Sequence, residues 1–451
     1  MKEGPIRVVV IGGDAAGMSA ASQVKRRMKT AEVVVLEKSK YVSYGACSMP
    51  YNIGYGGNVD DLVVMSAQEF REKRGIDVRL FEEATAVDVS SKSVHVKNHV
   101  SNRVYDIKYD YLVIATGARA KLPDVEGVHN EGVFTLKTLD DAKAIKDFLY
   151  KNKPKSCVFI GAGYINLELA ANLKRAGVEE ITMLKRSDVL MNEYEEEVDE
   201  AVRDVLSKNG VRLVTGIKVK GIEGTTVKTN KGDFEADMVN IGIGFVPNTE
   251  FLAGSGIEFD KETKAVSVDR YQKTNVEDVY SAGDCAMLYH RILDKYIYLP
   301  SGNNANKTGK LAGANIAGAN EQFAGTVGTR AFETFGLGIG KTGLSLKEAE
   351  EVGFDAFKTV ITAPTKAHGY PFQSKMTVIL IAEKKTGRLL GSQMFGDVSS
   401  VLRINVLATA LYANMTIKDI QGLDLVYSPP FAPVWDPILV CANQAIKQVG
   451  R

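Results

Sequence analysis

Cysteine is scarce in this chain. Its 451 residues hold four, Cys47, Cys157, Cys285 and Cys441, widely spread and with no C-x-x-C or other close pair. That spacing suits neither a zinc knuckle nor a disulfide scaffold. Of the five histidines only His95 and His99 stand close together, with no cysteine near them in sequence, so no protein metal site is expected. An excess of one charge is missing too: 56 Lys and Arg stand against 55 Asp and Glu, a net +1. Nothing in that balance points to nucleic acid or an anionic membrane. No apolar run approaches the about 20 residues that span a bilayer. The opening MKEGPIRVVVIGG enters a strand directly and lacks a signal peptide's small-residue cleavage site. A cytoplasmic protein is therefore expected. The apolar share of 45% and charged share of 25% are ordinary for a globular chain, and the length suits roughly three domains.

What the chain does have begins with Ile6 to Ile11, IRVVVI, a β-branched run of the kind that forms a buried parallel strand. It meets GGDAAG, Gly12 to Gly17, then the helix AASQVKRRM, then a second strand, VVVLE, ending on Glu37. This is a dinucleotide fingerprint in its strand–turn–helix–strand setting. Glycines allow close backbone approach, the helix N-terminus receives the pyrophosphate, and the acid takes a ribose hydroxyl. Asp14 departs from the pattern by standing where the second glycine is expected, and its carboxylate would repel a pyrophosphate unless it turns away or binds water. Gln23 and Arg26 share one face of the helix and by themselves read as a solvated surface.

A second copy of the unit follows. Ser156 to Ile160 forms a strand, GAGYIN (161–166) the turn, LELAANLKRAG the helix with Gly177 as its cap, and ITMLKR the next strand. Two such units suggest two nucleotides. The second strand ends in Lys185 and Arg186 and not in an acid, which favours the 2′-phosphate of NADP over NAD. Asn166 takes the place of the third small residue, against close helix packing. Short strands are expected at Val87–Val89, Val94–Val96 and Val104–Ile107, and further strands lead into Thr116-Gly117 and into Ala282-Gly283-Asp284. A carboxylate at Asp284 could accept hydrogen bonds from the polyol of a flavin; as a plain turn residue it would do less.

SYGACSMPY, Ser43 to Tyr51, begins six residues after Glu37 and carries Cys47. A thiol there lies close to whatever the first unit binds. Taken alone, Cys47 reads as one more small packed residue; its context gives it a chemical role.

Together, GGDAAGMSAASQ, SYGACSMPY, ATGA, GAGYINLELA, VYSAGDCA and YSPPFAPVWDP resemble the flavoprotein pyridine nucleotide–disulfide oxidoreductases over essentially the whole chain. Within them the chain looks most like the coenzyme A disulfide reductases and their NAD(P)H persulfide, polysulfide and sulfur reductase relatives. The resemblance implies an α/β fold with two Rossmann-like nucleotide-binding domains and a C-terminal α+β dimerisation domain. Its divisions would be an FAD domain in two parts (1–118 and 251–325), an NAD(P)H domain (119–250) and a dimerisation domain (326–451). In the last, FKTVIT, MTVILIA and LLGSQMF read as strands, and Ser399–Ala413 and Asp436–Gln448 as helices, with Asp436 and Pro437 as N-cap and first-turn residue. Cys441 lies in an apolar stripe there and reads as packing. Because the chain ends soon after this domain, the extra sulfur-carrying domain of some relatives is expected to be missing.

By resemblance, FAD contacts fall on Gly12, Gly13, Ala16 and Gly17, on Glu37 and Lys38, and on Thr116, Gly117 and Asp284. Those for NADP(H) or NAD(H) fall on Gly161, Gly163, Tyr164 and Ile165, with Glu168, Lys185, Arg186 and Gly244. Tyr164 would cover the flavin where nicotinamide enters, with Glu168 one turn later. Coenzyme A contacts would come from Gln23, Arg26 and Ser43, with Asn306 and Lys307 facing the substrate. Tyr370 and Tyr427, otherwise loop aromatics, would reach Cys47 of the partner subunit of a homodimer as proton donors.

Glutathione-reductase-like enzymes carry a cysteine pair where this chain has only Cys47. A single cysteine can cycle through a mixed disulfide or through a sulfenic acid; the resemblance implies the first, with coenzyme A. The thiolate is the nucleophile, and a helix N-terminus after Cys47 and the nearby flavin are expected to stabilise it. Peroxidases and water-forming oxidases of the family usually have a histidine in the first glycine turn, where this chain has Ala15 or Ala16. Three readings therefore remain: a coenzyme A disulfide, persulfide, polysulfide or sulfur reductase, an NAD(P)H oxidase or peroxidase using Cys47 as a sulfenic acid, and a non-enzymatic flavin redox sensor or electron carrier. The lone Cys47 and the tyrosines favour the first. The missing histidine counts against the second, and the intact nicotinamide unit against the third.

Overall fold

The computed structural model describes residues 5–450; the expectation drawn from the first four residues lies outside them. Strand β1 (Arg7–Ile11) feeds helix α1 (Ala15–Arg27), and β2 (Glu32–Glu37) returns parallel to β1. The helix starts earlier than the sequence suggested, at Ala15, because the last glycine of the fingerprint lies inside the first turns of the helix and not before it. Helix α2 (Met49–Tyr55) follows the Cys47 segment, and β3 (Asp77–Leu80) and β4 (Tyr111–Ile114) extend the sheet on either side. The three short strands expected over 87–107 form an antiparallel sheet spanning 82–108.

The chain then leaves for a second parallel sheet. A short strand β5 (Val133–Phe134) precedes helix α3 (Leu139–Asn152), whose N-terminus is closed by a reciprocal cap between Thr138 and Asp141. Strand β6 (Ser156–Ile160), helix α4 (Tyr164–Arg175) and β7 (Glu180–Leu184) form the second unit, completed by β8 (Val211–Val214) and β9 (Met238–Ile241) in the order β8-β7-β6-β9-β5. Tyr164, Ile165 and Asn166 are thus helical and not turn. Strand β7 stops at Leu184, so Lys185 and Arg186 begin the loop beyond it, although the Lys185 backbone still pairs with Val214 and Ile217. Asn166 packs after all: buried, its side chain donates to the Gly161 carbonyl at 2.8 Å and accepts from Asn240 at 3.0 Å.

Strand β10 (Val279–Ser281) brings the chain back beside β4, giving the first sheet the order β10-β4-β1-β2-β3. Helix α5 (Gly302–Ile316) then crosses α1 at very close range. A Cβ on Gly309 would lie 2.1 Å from the Ala16 carbonyl oxygen, and one on Gly313 2.4 Å from that of Ala20. The third sheet is antiparallel, with β11 (Arg330–Thr334), β12 (Leu337–Gly343), β13 (Ala356–Pro364), β14 (Lys375–Glu383) and β15 (Leu389–Asp397) in the order β11-β12-β15-β14-β13. Helices α6 (Ile404–Tyr412) and α7 (Pro437–Ala445) follow, α6 entered through a 3-10 turn at 400–403; the Asp436 side chain caps α7 through the Ile438 N–H. Cys157, Cys285 and Cys441 are buried in these cores. Among the described residues, no helix is long and apolar enough to cross a membrane.

Candidate active site

The end of β1 sets the first cavity. Gly12 takes φ +106°, and a Cβ there would lie 2.2 Å from the Ala115 carbonyl oxygen, so only glycine fits this turn. Glu37 ties the turn to β2: its carboxylate accepts from the Gly13 and Ser39 amides, each at 2.8 Å. A cavity of about 900 Å³ opens along the turn, a volume suited to a dinucleotide. Gly12, Gly13, Ala16, Glu37 and Lys38 line one side, and Thr116, Gly117 and Asp284 another. Gly17 does not line it; a Cβ there would lie 1.8 Å from the Gly12 carbonyl oxygen, so its work is helix–strand packing.

Asp284 holds a partner that sequence reasoning missed. Lys137 Nζ sits 2.8 Å from its carboxylate, 147 residues away in sequence, and lines the same cavity. The Thr138–Asp141 capping pair marks the helix beginning just after Lys137, but nothing local signals its reach to Asp284.

Cys47 lies in a 3-10 turn, Ala46–Ser48, immediately before α2, and is the one exposed cysteine. It lines the large cavity where α5 begins; a Cβ on Gly302 would stand 4.0 Å from its sulfur. A helix does begin just after Cys47, as the sequence suggested, and within this chain the thiol's pKa is raised. Although its surface is open to the cavity, the surrounding walls desolvate the thiol and push it up, Glu168 adds to the effect, and Lys137 opposes it. Glu168, on α4, accepts a hydrogen bond from the Tyr51 hydroxyl at 2.9 Å, and burial pushes its carboxyl up to about 7.

A second cavity, about 390 Å³, adjoins the first, and Ala15 and Asn306 line both. All five residues expected to contact substrate, Gln23, Arg26, Ser43, Asn306 and Lys307, line it. Gln23 is buried and accepts from Arg26 at 2.7 Å, so this pair is not a merely solvated face. Arg74 and Lys310 line it too, giving four cations and no acid in the wall among the described residues. Lys310 could have been found from its helical spacing to Lys307; Arg74, at the end of another helix, carries no signal of its own.

In the second glycine turn, Gly161 takes φ +98°, with the Gly242 carbonyl oxygen 2.3 Å from where a Cβ would stand. Tyr164 and Ile165 open α4, and the Tyr164 ring is exposed, 6.1 Å from that of Phe332. Around Gly163 and Gly244 a Cβ would meet nothing within 4 Å, which leaves open backbone for a ligand. Lys185 is half-buried, which pulls its ammonium pKa down, and Arg186 is exposed.

Tyr370 and Tyr427 lie on adjoining loops joined by the Ala367 amide and the Pro429 carbonyl. Among the described residues neither tyrosine lines the cavity at Cys47 of its own chain. Phe372 and Phe431, near them in sequence, are exposed, as are Leu402 and Trp435.

Comparison with known proteins decides the family. The profile described as pyridine nucleotide-disulphide oxidoreductase matches residues 6–309, and that of the same family's dimerisation domain matches residues 332–437. The chain belongs to the pyridine nucleotide-disulphide oxidoreductases. Among relatives of this oxidoreductase, an NAD(P)H coenzyme A polysulfide/persulfide reductase of Pyrococcus horikoshii is 38% identical, over 97% of this chain and 98% of that protein. An NADH oxidase of Methanocaldococcus jannaschii is 29% identical, over 99% and 100%. Among solved structures, an NAD-dependent persulfide reductase from A. fulgidus superposes with a TM-score of 0.94 at 36% identity, covering 98% of this chain and 83% of that one.

Proposed function

We propose that this oxidoreductase reduces coenzyme A disulfide, or a coenzyme A persulfide or polysulfide, with electrons from NAD(P)H and through Cys47. One observation carries the reading: the single exposed cysteine stands by a dinucleotide-sized cavity, and a second cavity walled by four cations adjoins it. Coenzyme A ends in a thiol and carries phosphates on its adenosine end, so one molecule would engage both features. The first glycine turn, Glu37, Thr116 and Asp284 would hold FAD, and the second turn with Lys185 and Arg186 would hold the nicotinamide nucleotide. What FAD supplies when bound is two-electron transfer from NAD(P)H to sulfur.

The protein's own chemistry starts at Cys47. Its thiolate attacks one sulfur of the substrate disulfide; the Cys47–S–S–CoA bond forms, the substrate S–S bond breaks, and the other coenzyme A leaves as a thiolate that takes up a proton. Two electrons and two protons then return the mixed disulfide to the Cys47 thiol and a second coenzyme A thiol. Arg26, Arg74, Lys307 and Lys310 would pair with phosphate oxygens. Tyr370 and Tyr427 would supply protons from the partner subunit, because they stand apart from Cys47 in one chain and, in sequence, near the exposed Phe372 and Phe431, apolar residues suited to a homodimer interface. We divide the chain into an FAD domain (1–118 and 251–325), an NAD(P)H domain (119–250) and a dimerisation domain (326–451), and place the protein in the cytoplasm.

The likeness to an NADH oxidase supports a second reading, oxygen reduction with Cys47 as a sulfenic acid. Mass spectrometry of the native protein separates the two. The expected result is an adduct of coenzyme A mass on Cys47, released by reductant. A Cys47 that carries only oxygen, in protein that oxidises NAD(P)H with oxygen alone, would overturn the leading reading.

A further inference from the structure

Asp14 occupies the position where the dinucleotide fingerprint calls for its second glycine, and the structure gives this carboxylate an unexpected partner. As the residue immediately before α1, Asp14 is a favoured type to cap the helix. It makes no such cap. Its Oδ1 instead accepts the backbone N–H of Tyr44 at 3.2 Å, three residues before Cys47. The adjacent amide, Ser43 N–H, donates to the Gly13 carbonyl at 2.9 Å. Two successive amides of the redox loop are thus tied to two successive residues of the glycine turn.

The loop has reason to need the tie. Ser43 sits at φ +49°, in the left-handed region that costs a non-glycine residue about 1 kcal/mol or more. Ser43 lines the second cavity and Cys47 the first, so the backbone between them sets where thiol and substrate meet. A glycine at position 14, as the fingerprint prescribes, would leave the Tyr44 amide without this acceptor.

We infer that Asp14 is a positioning residue for Cys47: by accepting the Tyr44 N–H it fastens the Ser43–Cys47 loop to the first glycine turn. Burial pushes its carboxyl up to about 6, with Glu37 adding and the Tyr44 N–H and Lys137 opposing. A carboxyl oxygen accepts the bond whether or not the group is protonated, so the role does not depend on its charge. This inference rests on the proposed thiol chemistry of Cys47.

The test compares Asp14→Asn, which keeps an oxygen acceptor without the charge, with Asp14→Gly and Asp14→Ala, which keep none. Three measurements on the holoenzyme are made per bound FAD: hydrogen exchange of the peptide containing Tyr44, alkylation of NAD(P)H-reduced Cys47 by iodoacetamide over a pH range, and kcat for coenzyme A disulfide. Losing one such bond should speed exchange and lower kcat by roughly 5- to 10-fold in the glycine and alanine variants. The pH profile of alkylation should shift in the same variants. Asparagine should recover most of the loss in all three relative to the glycine variant, by the same reasoning. Wild-type exchange and kcat in both acceptor-free variants overturn the inference, as does an asparagine variant no better than glycine. Should Asp14→Gly fail to hold FAD, Asp14→Ala decides, and exchange in the apoprotein decides if both fail. Full disulfide reduction by Cys47→Ser would instead sink the proposed function while leaving the exchange result standing.

Discussion

Serine at position 47 differs from cysteine by one atom at an exposed position of the cavity wall, so Cys47→Ser should fold and hold FAD normally. Its coenzyme A disulfide reduction should fall to background while NAD(P)H oxidation by an artificial acceptor remains measurable; normal disulfide turnover would remove Cys47 from the mechanism. At Lys185, replacement by glutamate puts an acid where NAD-preferring units have one. Loss of one phosphate contact costs about 1.5–3 kcal/mol, or roughly 10- to 150-fold in NADPH over NADH preference. Steady-state kinetics with both nucleotides reads this directly, and an unchanged ratio would mean that the half-buried side chain points away from the ribose. Glu168 makes a prediction about pH. Burial holds its proton to about pH 7, whereas the unfolded chain releases it near 4.5. Between those values the folded state binds more protons than the unfolded state, so this residue makes stability fall as pH rises. Glu168→Gln cannot titrate. Relative to wild type it should therefore gain stability from pH 5 to pH 8, by no more than about 3 kcal/mol. Urea unfolding at the two pH values checks the sign, and an equal gap at both would mean that Glu168 ionises normally.

Among the elements, α1 and α5 cross at very close range near the site. A methyl group at Gly309 would meet the Ala16 backbone, which cannot swing aside as a side chain would. Gly309→Ala should cost about 1–3 kcal/mol by overpacking, seen as a lower Tm, and FAD retention should drop with it because α1 carries the glycine turn. An unchanged Tm would show that the two helices slide apart freely. Elements of this kind were legible in the sequence to different degrees. The first two strands of each nucleotide unit, and β4 and β10, were legible as short apolar runs, and the glycine turns as fingerprints, because both signals are local; β3, β5, β8 and β9 were not read. The starts of α1 and α4 were placed late, since a glycine reads as a break even where it forms the first turn. The proposed coenzyme A contacts needed the family resemblance, yet the structure gathers Gln23, Arg26, Ser43, Asn306 and Lys307 around one cavity. Lys137 and Arg74 were invisible: their partners come from tertiary folding, which leaves no spacing to read. Asp14 was visible only as a misfit, and its hydrogen bond to Tyr44 needed the loop's path.

For the whole molecule, the proposed homodimer makes a complementation prediction. With Cys47 on one domain and Tyr370 and Tyr427 on another, a two-fold dimer reaching across once must do so twice. Cys47→Ser and Tyr370→Phe/Tyr427→Phe homodimers should each be nearly inactive. A mixed dimer of the two should hold one intact site and one doubly broken one, hence about half of wild-type activity by that symmetry. Co-expression with two tags, purification of the mixed dimer and disulfide-dependent NAD(P)H oxidation give the answer. No rescue in a mixed dimer with normal FAD content would confine the tyrosines to their own chain.

The first sheet is closed by a strand, β10, that follows β4 only after more than half of the intervening chain has made a sheet of its own. During synthesis this imposes a queue. The ribosome delivers β1 to β4 early, then must finish the second unit before the strand and helix that complete the first emerge. At about 5–20 residues per second, that wait lasts roughly 10–40 s. Throughout it the β4 edge lies bare, and bare strand edges recruit neighbours. The nicotinamide unit, whose strands are contiguous in sequence, can mature first and sit as an insert inside an unfinished host. Nascent chains stalled when residues 133–241 have cleared the exit tunnel and β10 has not should therefore resist protease over 133–241 while residues 5–114 are still cut, and FAD should be captured only after α5 has left the tunnel.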